Sequence, residues 1–82
     1  MKTIRWKMKA LRQLRRIRDS RTREKIYDSA EGLRTFPDCR NVKKLKVRDA
    51  FRLRVGQWRI VFTESPEIIE IEEVQRRNGH TY

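Results

Sequence analysis

The spacing of apolar residues changes period partway along the chain. Residues 3–7, TIRWK, alternate and predict a short strand. Over 8–18, Met8, Leu11, Leu14 and Ile17 recur at near-helical spacing, with Lys9, Arg12 and Arg16 on another side. Asp19 and Ser20 interrupt that helix and can cap the next one. Over 21–35, Ile26, Ala30 and Leu33 fall at i, i+4 and i+7, which predicts a second amphipathic helix. Gly32 weakens its last turn and Phe36-Pro37 ends it. The two helices read as a hairpin.

From residue 42 the period is two. VKKLKV at 42–47 predicts a strand. In FRLRV at 51–55, Phe51, Leu53 and Val55 point one way and Arg52 and Arg54 the other. Gly56-Gln57 places glycine first in a two-residue loop, as a type II′ turn requires. WRIVFTE at 58–64 returns, Ser65-Pro66 turns again, and EIIEIEEV at 67–74 is the last strand. These loops put Val55 opposite Trp58, Leu53 opposite Ile60, Phe51 opposite Phe62, Phe62 opposite Ile69 and Ile60 opposite Ile71. Both hairpins then share one apolar face, which a slip of one residue would expose. The expected fold is α+β. An N-terminal strand and a helical hairpin precede a three-stranded antiparallel meander, with the helices packed on one face of the sheet. With no repeat or linker, residues 1–82 are expected to form a single domain.

Charge adds a partner to this picture. Twenty-two Lys and Arg against 11 Asp and Glu give a formal +11. A field of that sign draws polyanions, nucleic acid above all. One cysteine, Cys39, and one histidine, His80, allow no intrachain disulfide and no metal site with several protein ligands. No cofactor is expected. No segment is apolar enough to span a membrane. The first 18 residues hold eight basic residues and no acid, but they carry a strand and a helix start, so they read as part of the fold rather than a leader. A free thiol without a secretory signal core implies a cytoplasmic protein.

The register locates the chemistry. Arg54 stands opposite Arg59 on the face away from the core, with Arg52 two positions along. Like charges opposed across a ladder destabilise a sheet by ~0.2–1 kcal/mol, a cost best explained by an anion to bind. The guanidinium fork matches phosphate oxygens. Lys44 and Lys46 are candidates to extend this surface, and Glu72 is the expected cross-strand neighbour of Arg59. The bland alternative is a solvated, partly neutralised outer face. After the last strand come Arg76, Arg77, His80 and Tyr82. Histidine titrates near neutrality and suits proton transfer, although a lone histidine in a tail is commonly an ordinary surface residue. Tyrosine can stack on a base or orient a phosphate. Together these groups suit RNA cleavage by its own 2′-hydroxyl, where fixed cations stabilise charge on the phosphorane-like transition state. Glu70 and Glu72 are candidate bases, but an arginine neighbour would hold such a carboxylate ionised and weakly basic.

The order of elements, FRLRVGQWRIVF at 51–62, KKLKV at 43–47 and RRNGHTY at 76–82 together resemble the RelE/ParE toxins of type II toxin–antitoxin systems. The likeness spans nearly the whole chain, with its specific motifs in the C-terminal half. It implies an endoribonuclease that cleaves messenger RNA on the ribosome. By the same resemblance, the phosphate-binding and catalytic basic positions fall on Arg52, Arg54, Arg59 and Arg77. The base-stacking tyrosine falls on Tyr82 and the proton-transfer histidine on His80. The implied partners are a small cognate antitoxin, messenger RNA and the ribosome. The family often has lysines where this chain has Arg52 and Arg54, whose high pKa suits them to stabilise charge rather than to accept protons. Rival readings are a ParE-like toxin acting on DNA gyrase, a non-enzymatic RNA- or ribosome-binding domain, and a toxin that has lost its activity.

Overall fold

The structure is a computed structural model that describes residues 1–76. Strand β1 (Thr3–Trp6) leads into helices α1 (Met8–Arg15) and α2 (Ser20–Glu31) and a single 3-10 turn at Gly32–Thr35. Strands β2 (Val42–Lys44), β3 (Phe51–Val55), β4 (Trp58–Glu64) and β5 (Ile68–Arg76) follow. They form a five-stranded sheet in the order β1-β5-β4-β3-β2. The strand pairs are antiparallel except for β1, which lies parallel to β5 with Ile4 beside Ile69 and Trp6 beside Ile71. The helices pack on one face, as the α+β reading expects.

The helices are shorter than their apolar patterns. The first ends at Arg15, not 18, yet Ile17 stays buried. Its last amides bond three residues back, Ile17 N–H to the Leu14 carbonyl at 3.1 Å, tightening the chain into the next element. Asp19 caps α2 by accepting from the Arg21 amide. Helix α2 stops at Glu31 with Gly32 as its C-cap, and the 3-10 turn carries Leu33 into the core. Met8 is exposed, and Ala10 takes a fully buried position in its place. The small Ala10 side chain suits the close approach of α1 to β5. There the Gln13 Oε1 accepts the Val74 N–H at 2.7 Å. Strand β1 pairs only as far as Ile71, so α1 covers the remaining edge of β5.

The core joins Leu14, Ile26, Ala30 and Leu33 from the helical layer to Leu53, Ile60, Phe62, Ile69, Ile71 and Val74 from the sheet. Phe36 and Phe51 close one end, with ring centroids 5.4 and 5.5 Å from that of Phe62. The β3–β4 register is the expected one, Phe51 with Phe62, Leu53 with Ile60 and Val55 with Trp58. Gly56 takes φ +58 at the turn, where an L side chain would be strained.

The β4–β5 register differs from expectation in two ways. The turn centres on Pro66 and Glu67, with Ser65 N–H bonded to the Ile68 carbonyl, so Phe62 faces Ile71 rather than Ile69. That offset of two residues keeps every side chain on its expected face. A β-bulge between Val61 and Phe62 then sets Val61 opposite Glu73 and Ile60 opposite Val74 rather than Ile71. The cause is the spacing of apolar residues along β5. Ile69 and Ile71 are two apart, but Val74 is three beyond Ile71. Only an extra residue in the ladder lets all three face the core. Strand β2 is also shorter than 42–47. Leu45 N–H bonds back to the Ala50 carbonyl at 2.9 Å, leaving Lys46, Val47, Arg48 and Asp49 as an exposed loop.

Candidate nucleic-acid interface

The sheet face away from the helices is built in rows. Arg54, Arg59 and Gln75 form one row across β3, β4 and β5. Lys43, Arg52, Val61 and Glu73 form the next. Thr63, Glu70 and Arg5 form a row farther along. This last row is neutralised internally, with Arg5 Nη2 2.8 Å from the Glu70 carboxylate. The cationic end of the face is therefore the end with Arg52, Arg54 and Arg59.

Arg54 and Arg59 stand directly opposite each other, as the alternation of the two strands predicts. Arg54 is exposed, while Arg52 and Arg59 are half-buried. Arg59 Nη2 donates to the Gln75 Oε1 at 2.9 Å. Its Nε is buried and has no hydrogen-bond partner among the described residues. Gln75 Nε2 donates in turn to the Glu73 carboxylate. Glu73 also meets Arg48 Nη1 at 3.2 Å and Lys9 Nζ at 3.7 Å. Burial pushes the Glu73 carboxyl up, but the Arg48 hydrogen bond, the charges of Lys9 and Arg48 and the Gln75 hydrogen bond outweigh it. The group sits below its ordinary value. Glu73 is thus a poor proton acceptor and a good anchor for cations.

The expected neighbour of Arg59, Glu72, is displaced by the two-residue offset of the turn and by the bulge, in which Glu72 is the extra residue. Glu72 instead pairs with Lys7 at 3.0 Å and accepts from the Thr63 hydroxyl at 3.0 Å. Its hydrogen bond and charge raise the Lys7 ammonium above its ordinary value. Neither Glu70 nor Glu72 lies beside the arginines. The carboxylate linked to them is Glu73, which connects to Arg59 through Gln75 and which the sequence reading missed because the bulge was not foreseen.

Three of the candidate cations lie elsewhere. Lys44 pairs with Phe51 on the core side of the sheet edge. It bonds Asp49 at 2.8 Å, which lowers that carboxyl, and its Nζ lies 5.2 Å from the Phe51 ring centroid. The lysine that shares the Arg52 face is Lys43, directly across the ladder. Lys46 lies past the end of β2, exposed in the loop. Arg76 stands opposite Trp58, also toward the helix side, 5.7 Å above that ring, and its Nη2 donates to the Gln57 side-chain Oε1 at 3.0 Å. There it lines a cleft of about 520 Å³ together with Arg16, Ile17, Lys25, Ile26 and Trp58. Arg77, His80 and Tyr82 lie outside the described residues. Among the described residues no three His, Cys, Asp or Glu side chains cluster closely enough to hold a metal ion. No described helix is long and apolar enough to cross a membrane.

A helical hairpin on a five-stranded sheet with this order is the architecture of RelE-like toxins. The fold matches archaeal RelE in its RelB complex from Pyrococcus horikoshii, with TM-score 0.80 and 17% identity over 95% of this chain and 97% of that one. It matches a RelBE toxin–antitoxin complex from Mycobacterium tuberculosis at TM-score 0.79 and 22% identity, covering 93% of this chain and 98% of that one. Isolated E. coli RelE gives TM-score 0.78 and 15% identity over 99% of this chain and 89% of that one. No curated protein sequence matches the chain significantly. The family model for the ParE toxin of type II toxin–antitoxin systems, parDE, matches residues 4–79, so the chain belongs to that family and is a RelE/ParE-superfamily toxin.

Proposed function

We propose that this toxin is an endoribonuclease that cleaves messenger RNA on the ribosome and so stops translation. The observation that supports it most is the direct opposition of Arg54 and Arg59, whose row holds no acid among the described residues, with Arg52 in the next row. Such a pair costs stability and suits a phosphodiester that recruits both forks. The nucleophile is the RNA's own 2′-hydroxyl, so the reaction needs no metal-bound hydroxide. The arginines stabilise the extra charge on the equatorial oxygens, commonly the largest catalytic effect. Arg77 is assigned to the same phosphate, His80 to proton transfer and Tyr82 to stacking on a base. The whole chain, 1–82, acts as one domain in the cytoplasm. Its partner is a cognate antitoxin, as RelB is for the RelE proteins above, with acidic groups that cover the arginine face.

The test is to add purified protein to a translating extract and map messenger 5′ ends by primer extension, with Arg59→Ala alongside. New cuts within translated codons, lost in the variant, are the expected result. Intact messenger with translation running overturns the reading in favour of gyrase inhibition, which the match to the ParE toxin family also accommodates. Intact messenger with translation halted points instead to a non-enzymatic ribosome binder.

A further inference from the structure

A carboxylate is out of place on a face meant for polyanions, because it repels each phosphate brought near it. Glu73 nevertheless sits at the edge of the arginine rows with its side chain only 14% exposed. Its contacts reach three separate parts of the chain. Lys9 comes from α1, Arg48 from the loop between β2 and β3, and Gln75 passes the connection on to Arg59 of β4. Arg48 belongs to a loop at the far edge of the sheet, yet it meets β5. Adjacent strands lie about 4.8 Å apart, so β5 is roughly 10 Å from β3. The long side chains of Arg48 and Glu73 bridge that distance and meet on the arginine face. Val61, in the row that this contact crosses, is 2% exposed although no described helix covers that side.

Two ion pairs hold the loop. Lys44 takes Asp49 at 2.8 Å and Glu73 takes Arg48 at 3.2 Å. The Arg48 side chain stays 42% exposed. It meets Glu73 through one nitrogen, Nη1, of a group that carries five N–H donors. A guanidinium anchored at one end and open at the other is prepared for a second acceptor with little further loss of rotamer freedom.

We propose that Arg48 is a further RNA-contacting residue, and that Glu73 is the positioning residue that holds Arg48 and, through Gln75, Arg59 over the strand. This rests on the reading of the arginine face as an RNA surface. A purely electrostatic role for Glu73 and a positioning role predict opposite signs. Removing a negative charge alone tightens RNA binding. Losing the anchor of two arginines weakens it.

The experiment titrates a fluorescent 2′-O-methyl RNA oligonucleotide, which lacks the nucleophile and is not cut, against wild type and variants over a series of salt concentrations. Arg48→Ala is expected to weaken binding several-fold and to flatten the log–log salt dependence by about 0.7, the loss of one single-strand phosphate contact. Glu73→Gln is expected to weaken binding and flatten the slope in the same way, although the face gains positive charge. The double variant is expected to match the weaker single one. Wild-type or tighter binding by Glu73→Gln overturns the positioning role, and wild-type binding by Arg48→Ala overturns the contact. Arg54→Ala and Arg59→Ala separate the two levels. If they too bind as wild type, or wild type binds no RNA, the RNA surface itself fails. If they weaken binding while the Arg48 and Glu73 variants do not, only the present inference fails. Thermal melts accompany each variant. Should Glu73→Gln not fold, Glu73→Asp replaces it, keeping the charge but shortening the reach, with weakened binding again expected.

Discussion

Gln75 stands directly across the β4–β5 ladder from Arg59 and accepts a hydrogen bond from its guanidinium at 2.9 Å. A neutral amide in this place fixes the arginine's direction without cancelling its charge. A carboxylate there would form an ion pair and compete with phosphate. Replacing Gln75 by Ala removes the acceptor for a half-buried cation. Hydrogen bonds to charged groups contribute about 1.5–3 kcal/mol, and partial exposure puts the expected loss near the low end. Urea denaturation reads the stability change. Messenger cleavage in the translating extract is expected to fall with it, and unchanged cleavage would mean that Arg59 does not depend on this contact.

Arg54 opposes Arg59 with no acid in its row among the described residues. Arg54→Thr removes the like-charge pair and places a β-branched residue in a strand. The expected result is a gain of about 0.2–1 kcal/mol in stability, seen as a higher urea midpoint at unchanged slope. The same variant is expected to bind RNA more weakly. A variant that loses stability would show that the two guanidinium groups are not in net repulsion.

Gln13 on α1 gives the Val74 amide its acceptor where β1 no longer pairs with β5. Gln13→Ala leaves a part-buried N–H unsatisfied, at a cost of about 1–3 kcal/mol. Native-state hydrogen exchange is the sharper readout. The Val74 amide is expected to lose protection in the variant, while the Ile60 and Phe62 amides of β4 keep theirs apart from the global loss of stability.

Acid is expected to destabilise the fold through carboxyls held below their ordinary range. Asp19 is lowered by the Thr22 hydroxyl and the Arg21 amide, Asp49 by Lys44, and Glu73 by Arg48 and Lys9 against the opposing effect of burial. A depressed folded-state pKa stabilises above the unfolded value and the benefit disappears as pH falls through the folded one. The window is therefore below the ordinary carboxyl values of 3.8 for Asp and 4.5 for Glu. Melting temperatures followed from neutral pH to about 3 should fall less steeply for Glu73→Gln than for wild type. Parallel curves would show that Glu73 titrates alike in the folded and unfolded chains. At the alkaline end the sign reverses for Lys7. Its pKa is raised, so its pairing with Glu72 stabilises below 10.5 and is lost as pH rises through the higher folded value.

The extent of the site that could be read in advance follows the strength of each local pattern. FRLRV and WRIVF alternate without interruption around Gly56, so the opposition of Arg54 and Arg59 was legible residue by residue. The spacing of Ile69, Ile71 and Val74 did carry a sign of the bulge, two residues and then three. Read as a uniform strand, it placed Glu72 beside Arg59, where the fold puts Gln75. The alternation of VKKLKV did not say which lysine faces Arg52. The short loop to β3 settled that in favour of Lys43 and sent Lys44 to Asp49.

The sequence by itself determined the α+β class, the helical hairpin, the β3–β4 register and the sign of the charge. Each depends on periodicity or composition, which act over a few neighbouring residues or over the chain as a whole. Only the tertiary structure decided that β1 joins β5, that α1 covers the open edge there, and that Arg48, Lys9 and Gln75 converge on Glu73. These are meetings of residues tens of positions apart. Their partners are chosen by the packing of whole elements and by one extra residue in a ladder, and no local pattern carries that information.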